Sequence, residues 1–197
     1  MRHGLLHWYE PGELDDGQRA TYEAIAGGPR AHSATIAPFV DGRGRLEGPF
    51  NAMLVNPLLG MAVQSVGAAL RYQTSLDDRL REMAILTVAV EERSDFEWWV
   101  HDALSGAVGV TDGERAALRG GRAPDTLSTA ERLAREVVLT LLRRRRLDDD
   151  LIATATAALG ETALVELVYL TGYYSLLSMT LHAFRTPLPR GADPPFG

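Results

Sequence analysis

Residues 75–101 read SLDDRLREMAILTVAVEERSDFEWWVH, and this stretch predicts two consecutive helices. Ser75 with Asp78, and then Ser94 with Glu97, each match the polar pair of a capping box, in which a side chain three positions into the helix reaches back to its first residue. Apolar residues recur at helical rather than strand spacing throughout the stretch. It therefore favours an all-α fold.

The same signals of helix start and stop extend the pattern in both directions. The predicted helices span about 13–26, 56–72, 75–93, 94–109, 111–120, 128–146, 148–158 and 162–183. A Gly/Pro-rich stretch from Gly27 to about Phe50 interrupts them, and the proline-rich tail is expected to be extended. We expect one domain over residues 1–197, in which 1–44 form an N-terminal helix and loop extension, because a chain of this length normally builds one core.

The composition excludes several kinds of chemistry. The chain has no cysteine, so it has no thiolate nucleophile, disulfide or sulfur-ligated zinc. All 20 basic residues are arginine, which excludes a lysine Schiff base and the lysine of a phosphate-binding P-loop. The net charge is −6 with both signs interspersed, a balance that argues against nucleic acid or an anionic membrane as partner.

Two unusual runs each allow more than one interpretation. Arg143–Arg146 stand directly before Asp148–Asp150, a pattern that fits a solvated turn between two helices and, less well, a partner site. Residues 167–184 carry no formal charge, which is long enough for a membrane span. Polar residues interrupt this run, so a helix buried in the core or in a subunit interface is the alternative, and we favour the interface. The N-terminus lacks the apolar run of a signal peptide, and we expect a cytoplasmic protein.

A candidate acid–base site falls on the two helices of the opening stretch. Glu97 and His101 are four residues apart and share a helix face, and Glu82 lies on the inward face of the preceding helix. A buried carboxylate and imidazole can tune each other's pKa toward neutrality. Glu97 could equally be a capping residue, His101 a core histidine and Glu82 a surface carboxylate. A metal site is not expected, because only two ligands are visible at helical spacing.

The sequence resembles the carboxymuconolactone decarboxylase and alkylhydroperoxidase D-like family over roughly residues 45–190. The resemblance rests on four segments in order: GPFNAMLVNP at 48–57, RLREMAIL at 79–86, SDFEWWVH at 94–101, and the run from 166 to 189. The hydroperoxidase branch has a glutamate, a Cys-x-x-Cys pair and a histidine four residues on. Glu82 and His101 match the glutamate and the histidine, whereas Ser94 and Glu97 stand where the cysteines would be, which removes disulfide redox chemistry.

The resemblance implies a compact multi-helix domain of the alkylhydroperoxidase D-like type that forms homo-oligomers. It implies a cofactor-free acid–base enzyme, decarboxylase or isomerase-like, acting on a small carboxylated or lactone compound, with His101, Glu97 and Glu82 as catalytic residues. We assign substrate binding to Arg79 or Arg81, through a carboxylate, and to Trp98, which could instead be core. The alternative is a non-catalytic binding or assembly module of the same fold, or a protein related to peroxidases by homology only.

Overall fold

The computed structural model describes residues 1–28, 39–189 and 191–197, and within these ranges the chain forms nine α-helices and one short hairpin. The hairpin pairs β1 (Arg2–His3) with β2 (Leu6–His7) in antiparallel register. A 3₁₀ turn at Pro11–Glu13 precedes the first α-helix. The helices are α1 (Asp16–Ala26), α2 (Pro49–Met53), α3 (Pro57–Tyr72), α4 (Asp78–Glu91), α5 (Asp95–Ala107), α6 (Asp112–Arg119), α7 (Thr129–Arg144), α8 (Asp149–Leu159) and α9 (Glu161–Ala183). The predicted all-α fold is confirmed.

Several predicted helix starts are confirmed by their cap geometry. Asn56 accepts a hydrogen bond from the Leu59 N–H at the start of α3. Complete capping boxes begin α6, at Thr111 with Glu114, and α7, at Ser128 with Glu131. The arginine run ends α7 and Asp148 caps α8, so the run forms the expected helix–helix turn.

The two capping boxes predicted in the opening stretch are wrong. Asp77, not Ser75, caps α4 by accepting from the N–H groups of Arg79 and Leu80. Ser75 instead donates its N–H and hydroxyl to the Glu166 carboxylate of α9.

At the start of α5, the backbone N–H of Ser94 is already committed, and this removes the reason for a capping box. It donates to the Ala89 carbonyl across a tight turn in which Arg93 takes a left-handed φ of 50°. This is the bond pattern of a Schellman ending of α4. Glu97 therefore does not cap α5, and its carboxylate lies inside the protein instead.

Helix α4 is the central element of the molecule. Every residue from Leu80 to Ala89 is buried, because α5, α6, α7 and α9 all pack against it. Its Ile85 and Val88 belong to the main core with α7 and α9, while Met83 and Leu86 join a smaller cluster around Trp98. Any polar side chain in the middle of α4 is consequently held inside the protein.

Helix α9 contains most of the uncharged run for which an interface was predicted. By length and composition alone it could cross a membrane, yet 56% of its most apolar window is buried inside this fold. One face, including Leu167, Leu170 and Leu177, completes the main core. The opposite face, with Tyr169 and Met179, is exposed. The helix is therefore first a core element, and only its outer face is available to a partner.

The N-terminal third contains features that the sequence did not predict. The two-residue strands are too short to show alternation, and α2 begins at the end of the predicted Gly/Pro-rich stretch. Gly48, with φ of 60°, begins α2, and a Cβ here would lie 2.1 Å from the Phe96 ring of α5. This close approach brings the start of α2 against Phe96 of α5. Residues 29–38 of the same predicted stretch lie outside the described residues.

Candidate active site

A buried imidazole–carboxylate pair joins α4 to α5. His101 Nδ1 lies 2.6 Å from Glu82 Oε2, and both side chains are almost fully buried. Glu82 is held in place because its helix is enclosed on all sides, and the His101 ring packs edge-on against Tyr174 at a centroid distance of 5.1 Å. The structure therefore brings together the glutamate and the histidine that sequence analysis singled out.

A third residue completes the charge balance of this pair. Arg71 Nη1, from the last turn of α3, lies 3.4 Å from Glu82 Oε1. Its side chain is only 13% exposed. Glu82 thus contacts a guanidinium with one oxygen and an imidazole with the other, an arrangement that compensates a buried negative charge.

The pKa directions indicate which member of the pair carries the charge. Burial would raise the pKa of Glu82, but His101, Arg71 and Arg81 outweigh it and hold that pKa below its ordinary value. Burial lowers the pKa of His101 against the attraction of Glu82. An ionised Glu82 requires a proton on His101 Nδ1, so the unprotonated nitrogen of the neutral ring is Nε2.

Glu97 faces that nitrogen without bonding to it. Glu97 Oε2 lies 3.7 Å from His101 Nε2, too far for a hydrogen bond. The other oxygen, Oε1, is buried and has no hydrogen-bond partner among the described residues. Burial raises the pKa of Glu97 to about 8, against the pull of Arg71, so this carboxyl is protonated at neutral pH. A neutral acid and a neutral base therefore lie side by side without a hydrogen bond between them.

Glu97 and His101 both line a cavity of about 50 Å³ between α2, α3, α5 and α9. This volume exceeds what a single water molecule requires. The wall is largely aromatic, from Phe39, Phe50, Phe96, Trp99, Tyr173 and Tyr174. Glu82 lies behind His101, outside the wall. A ligand in the cavity would meet the acid and the base directly, and Glu82 only through His101.

A second, shallower apolar groove shares part of this wall. It lies between α2, α3 and α9, has a volume of about 360 Å³, and includes Val55, Leu59 and Leu176. Pro49 and Leu177 line both the groove and the cavity. Two side chains therefore separate the candidate site from an exposed apolar surface.

The residues to which sequence analysis assigned substrate binding lie elsewhere. Arg79 binds the carboxylates of Glu114 at 2.6 Å and Glu131 at 2.7 Å, and so ties α4 to α6 and α7. Arg81 pairs with Asp78, and Trp98 packs in the smaller core cluster against Phe196. The cavity wall instead contains Arg71 and Trp99.

Arg71 was missed because it precedes the opening stretch and belongs to no motif. A weak signal was present, since Gln64, Gly67 and Arg71 follow helical spacing along the buried face of α3. No three His, Asp or Glu side chains within the described ranges are placed to hold a metal ion.

The fold and site together define a cysteine-free, all-α protein with an acid–base pair over an apolar cavity. Residues 57–139 match the model of the carboxymuconolactone decarboxylase family. The resemblance drawn from the sequence is confirmed. No curated protein matches the chain.

Solved structures share the fold across almost the whole chain. A peroxidase-related protein from Ralstonia eutropha, described as an alkylhydroperoxidase AhpD core, aligns with a TM-score of 0.76 at 11% identity, covering 96% of this chain and 94% of that one. A peroxidase-related protein from Silicibacter gives 0.73 at 12% identity with the same coverages. The debrominase Bmp8, in complex with 2,3,4-tribromopyrrole, gives 0.71 at 12% identity, covering 94% of this chain and 92% of that one. At these identities the likeness is one of fold.

Proposed function

We propose that this protein is a cofactor-free acid–base enzyme, decarboxylase or isomerase-like, that acts on a small carboxylated or lactone compound. The observation that carries the proposal is the unbonded pair of Glu97 and His101 Nε2, 3.7 Å apart on the wall of one cavity. A neutral acid and a neutral base on one wall of a cavity can each exchange a proton with a ligand bound beside them. Glu82 orients the imidazole and stabilises its protonated form, as a carboxylate does behind a catalytic histidine.

A non-catalytic module, the alternative, would require Glu97 and His101 to have purely structural roles. A capping Glu97 and a fully paired His101 would have suited a purely structural cluster. Glu97 does not cap α5, and its buried Oε1 has no partner within the described part of the chain. Leaving a buried polar group unpaired costs about 1–3 kcal/mol, so it suggests a ligand that completes the pairing.

Thiol peroxidase chemistry does not transfer from the peroxidase-related structures. The chain has no cysteine to form a sulfenic acid or a disulfide. We expect no thiol-dependent reduction of organic hydroperoxides above a no-enzyme control. Turnover in a metal-free coupled assay would contradict this expectation.

Proton transfer can be measured before the natural substrate is known. The protein is incubated in D₂O with a panel of small carboxylic acids and unsaturated lactones, and NMR follows deuterium entering C–H positions. His101→Gln is expected to abolish catalysed exchange, and Glu97→Gln to reduce it ~100- to 10,000-fold, the usual contribution of a general acid–base group.

An exposed pair supplies the matched control for this assay. His7 and Glu13 have the same 2.6 Å nitrogen–oxygen contact but lie at the surface, away from the cavity. His7→Gln and Glu13→Gln should leave exchange unchanged. Equal exchange in the wild type and in His101→Gln would exclude the proposed site.

We also propose that the protein forms homo-oligomers through the outer face of α9. Val165, Tyr169, Gly172, Leu176 and Met179 follow the alternating four- and three-residue spacing of a helix–helix seam, and all five are exposed. Leu59 of α3, which lines the adjoining groove together with Leu176, extends this apolar surface. Apolar surface of this extent is typical of a protein contact. A cytoplasmic location remains part of the proposal.

A further inference from the structure

Arg71 is the one cationic side chain on the cavity wall among the described residues. Its guanidinium contacts Glu82 Oε1 through Nη1 at 3.4 Å. A guanidinium has five N–H donors, so this contact leaves others for a ligand. The neighbouring arginines are committed to carboxylates outside the cavity. A ligand that offers an oxygen to the cavity therefore meets Arg71.

The position of this cation discriminates between the two reactions left open above. When a carboxylate leaves as CO₂, its negative charge moves from the carboxylate oxygens to the carbon skeleton. A guanidinium on that carboxylate stabilises the ground state more than the transition state, and so slows the reaction. When a proton leaves a carbon next to a carbonyl group, negative charge instead develops on the carbonyl oxygen. A guanidinium on that oxygen accelerates the reaction.

From this we infer that Arg71 holds the carbonyl oxygen of the substrate, and that the site catalyses a 1,3-proton shift in a small β,γ-unsaturated carbonyl compound. This inference rests on the proposed acid–base function and selects isomerisation from it. The substrate class is a carbonyl compound whose double bond lies one carbon away from conjugation.

The proton movements balance without a co-reactant. His101 Nε2 takes a proton from the carbon next to the carbonyl group; the C–H electron pair becomes a carbon–carbon double bond, and the carbonyl π pair moves to the oxygen at Arg71. The dienolate then re-forms its carbonyl group, and its γ carbon takes the proton of the Glu97 carboxyl. His101 is now protonated and Glu97 ionised. A proton passing from Nε2 to Oε2, 3.7 Å apart, restores both.

The aromatic wall suits the intermediate of this reaction. A dienolate is planar and its charge is delocalised, so flat rings such as Phe50, Phe96 and Trp99 can pack against its faces while Arg71 binds its edge. A phenolate has the same shape and charge distribution. Phenols should therefore bind as mimics of the intermediate.

The first experiment is a binding titration with 4-nitrophenol, whose anion is yellow. We expect the bound form to be the anion at a pH at which the free compound is mostly neutral. Arg71→Met, which keeps the length of the side chain but removes its charge, should abolish the yellow form. Arg146→Met, at an exposed position with the same chemical change, is the control and should bind normally.

The second experiment compares two six-membered-ring ketones. Isomerisation of 3-cyclohexen-1-one to the conjugated 2-cyclohexen-1-one is followed by ultraviolet absorbance, and loss of CO₂ from 2-oxocyclohexane-1-carboxylate by gas release. We expect the isomerisation to be catalysed and Arg71→Met to slow it about 100- to 1,000-fold, as loss of an oxyanion donor does. Arg71→Lys keeps the charge, should retain part of the activity, and replaces Arg71→Met if that variant does not fold.

Each result has a defined consequence. Isomerisation that depends on Arg71, together with anionic 4-nitrophenol, supports the inference. Catalysed CO₂ release without isomerisation overturns it while the acid–base function stands. Isomerisation at full rate in a folded Arg71 variant overturns the role of Arg71. If neither ketone reacts and 4-nitrophenol stays neutral, the inference is overturned, and the acid–base function is then decided by the deuterium-exchange panel.

Discussion

At the scale of single residues, the site depends on two protonation states: the Glu97 carboxyl is protonated, and His101 Nε2 is not. Both states follow from burial, which disfavours the charged form of each group. Glu82 can remain ionised because Arg71 and His101 contact its two oxygens. Burying an ionised Glu82 beside a neutral Glu97 and a neutral His101 costs less free energy than burying all three side chains in charged form.

The tautomer of His101 is the first prediction. Nitrogen-detected NMR of the imidazole should show a proton on Nδ1 and none on Nε2 at neutral pH. Glu82→Gln should lower the pKa of His101 further, because it removes the anion that favours the imidazolium. An unchanged His101 titration in Glu82→Gln would mean that the two side chains are not coupled.

The pH dependence of stability is the second prediction. The folded state keeps a proton on Glu97 up to about pH 8, whereas the unfolded chain releases it in the ordinary carboxyl range near pH 4.5. The folded form therefore binds more protons across this window, and its stability falls as the pH rises through it. Glu97→Gln should remove this fall.

Urea unfolding at several pH values between 4.5 and 8 measures this pH dependence of stability. The free energy of unfolding of the wild type should decline relative to Glu97→Gln as the pH rises. Glu13→Gln is the control, because the pKa of Glu13 is held low by its bond to the Glu10 backbone and by His7, so its proton is already lost in both states. A constant difference between the wild type and Glu97→Gln across the window would show that Glu97 is ionised when buried.

At the scale of helices, cap residues decide where α4 and α5 begin. The third prediction is that Asp77→Ala destabilises the protein by about 0.5–2 kcal/mol, since its carboxylate accepts the first free N–H groups of α4. Ser75→Ala should cost less, because the backbone N–H of residue 75 still binds Glu166. Urea denaturation of both variants tests the order. A larger loss in the free energy of unfolding for Ser75→Ala than for Asp77→Ala would indicate that Ser75 is the cap.

Most helices could be predicted because their signals are local. Asn56, Thr111 and Ser128 act on N–H groups two or three residues away, so sequence alone identifies them. The errors came from hydrogen bonds that the capping pattern does not include. Ser75 bonds to Glu166, which is more than ninety residues away in the chain. The Schellman ending of α4 uses the Ser94 N–H that a capping box would need.

The candidate site shows the same division between local and distant information. Glu97 and His101 were expected on one face because they are four residues apart, and Glu82 because its neighbours are apolar. Arg71 could not be assigned, because only the packing of α3 brings its guanidinium to Glu82. Arg79 and Arg81 looked equally suitable in sequence. Glu114, the partner of Arg79, is distant in the chain and could be identified only from the packing of α6 on α4, whereas Arg81 pairs with Asp78 three residues earlier on the same helix.

At the scale of the whole molecule, the exposed seam of α9 leads to the fourth prediction. Light scattering at micromolar concentration should give a multiple of the 21.5 kDa chain mass. Tyr169→Arg or Leu176→Arg should shift the mass toward a monomer, because a charge would be buried in the contact. Ile152→Arg is the matched control, at an exposed apolar residue of α8 outside the seam. A monomer mass for the wild type would refute the assembly.

The wall shared by the groove and the cavity has a kinetic consequence. Pro49 and Leu177 face the candidate site on one side and the exposed apolar groove beside the α9 seam on the other. If a second chain fills that groove, its departure would relax the same two side chains and change the shape of the cavity. Turnover per chain would then vary with enzyme concentration, and a concentrated stock diluted into assay buffer would show a curved progress trace as the assembly dissociates.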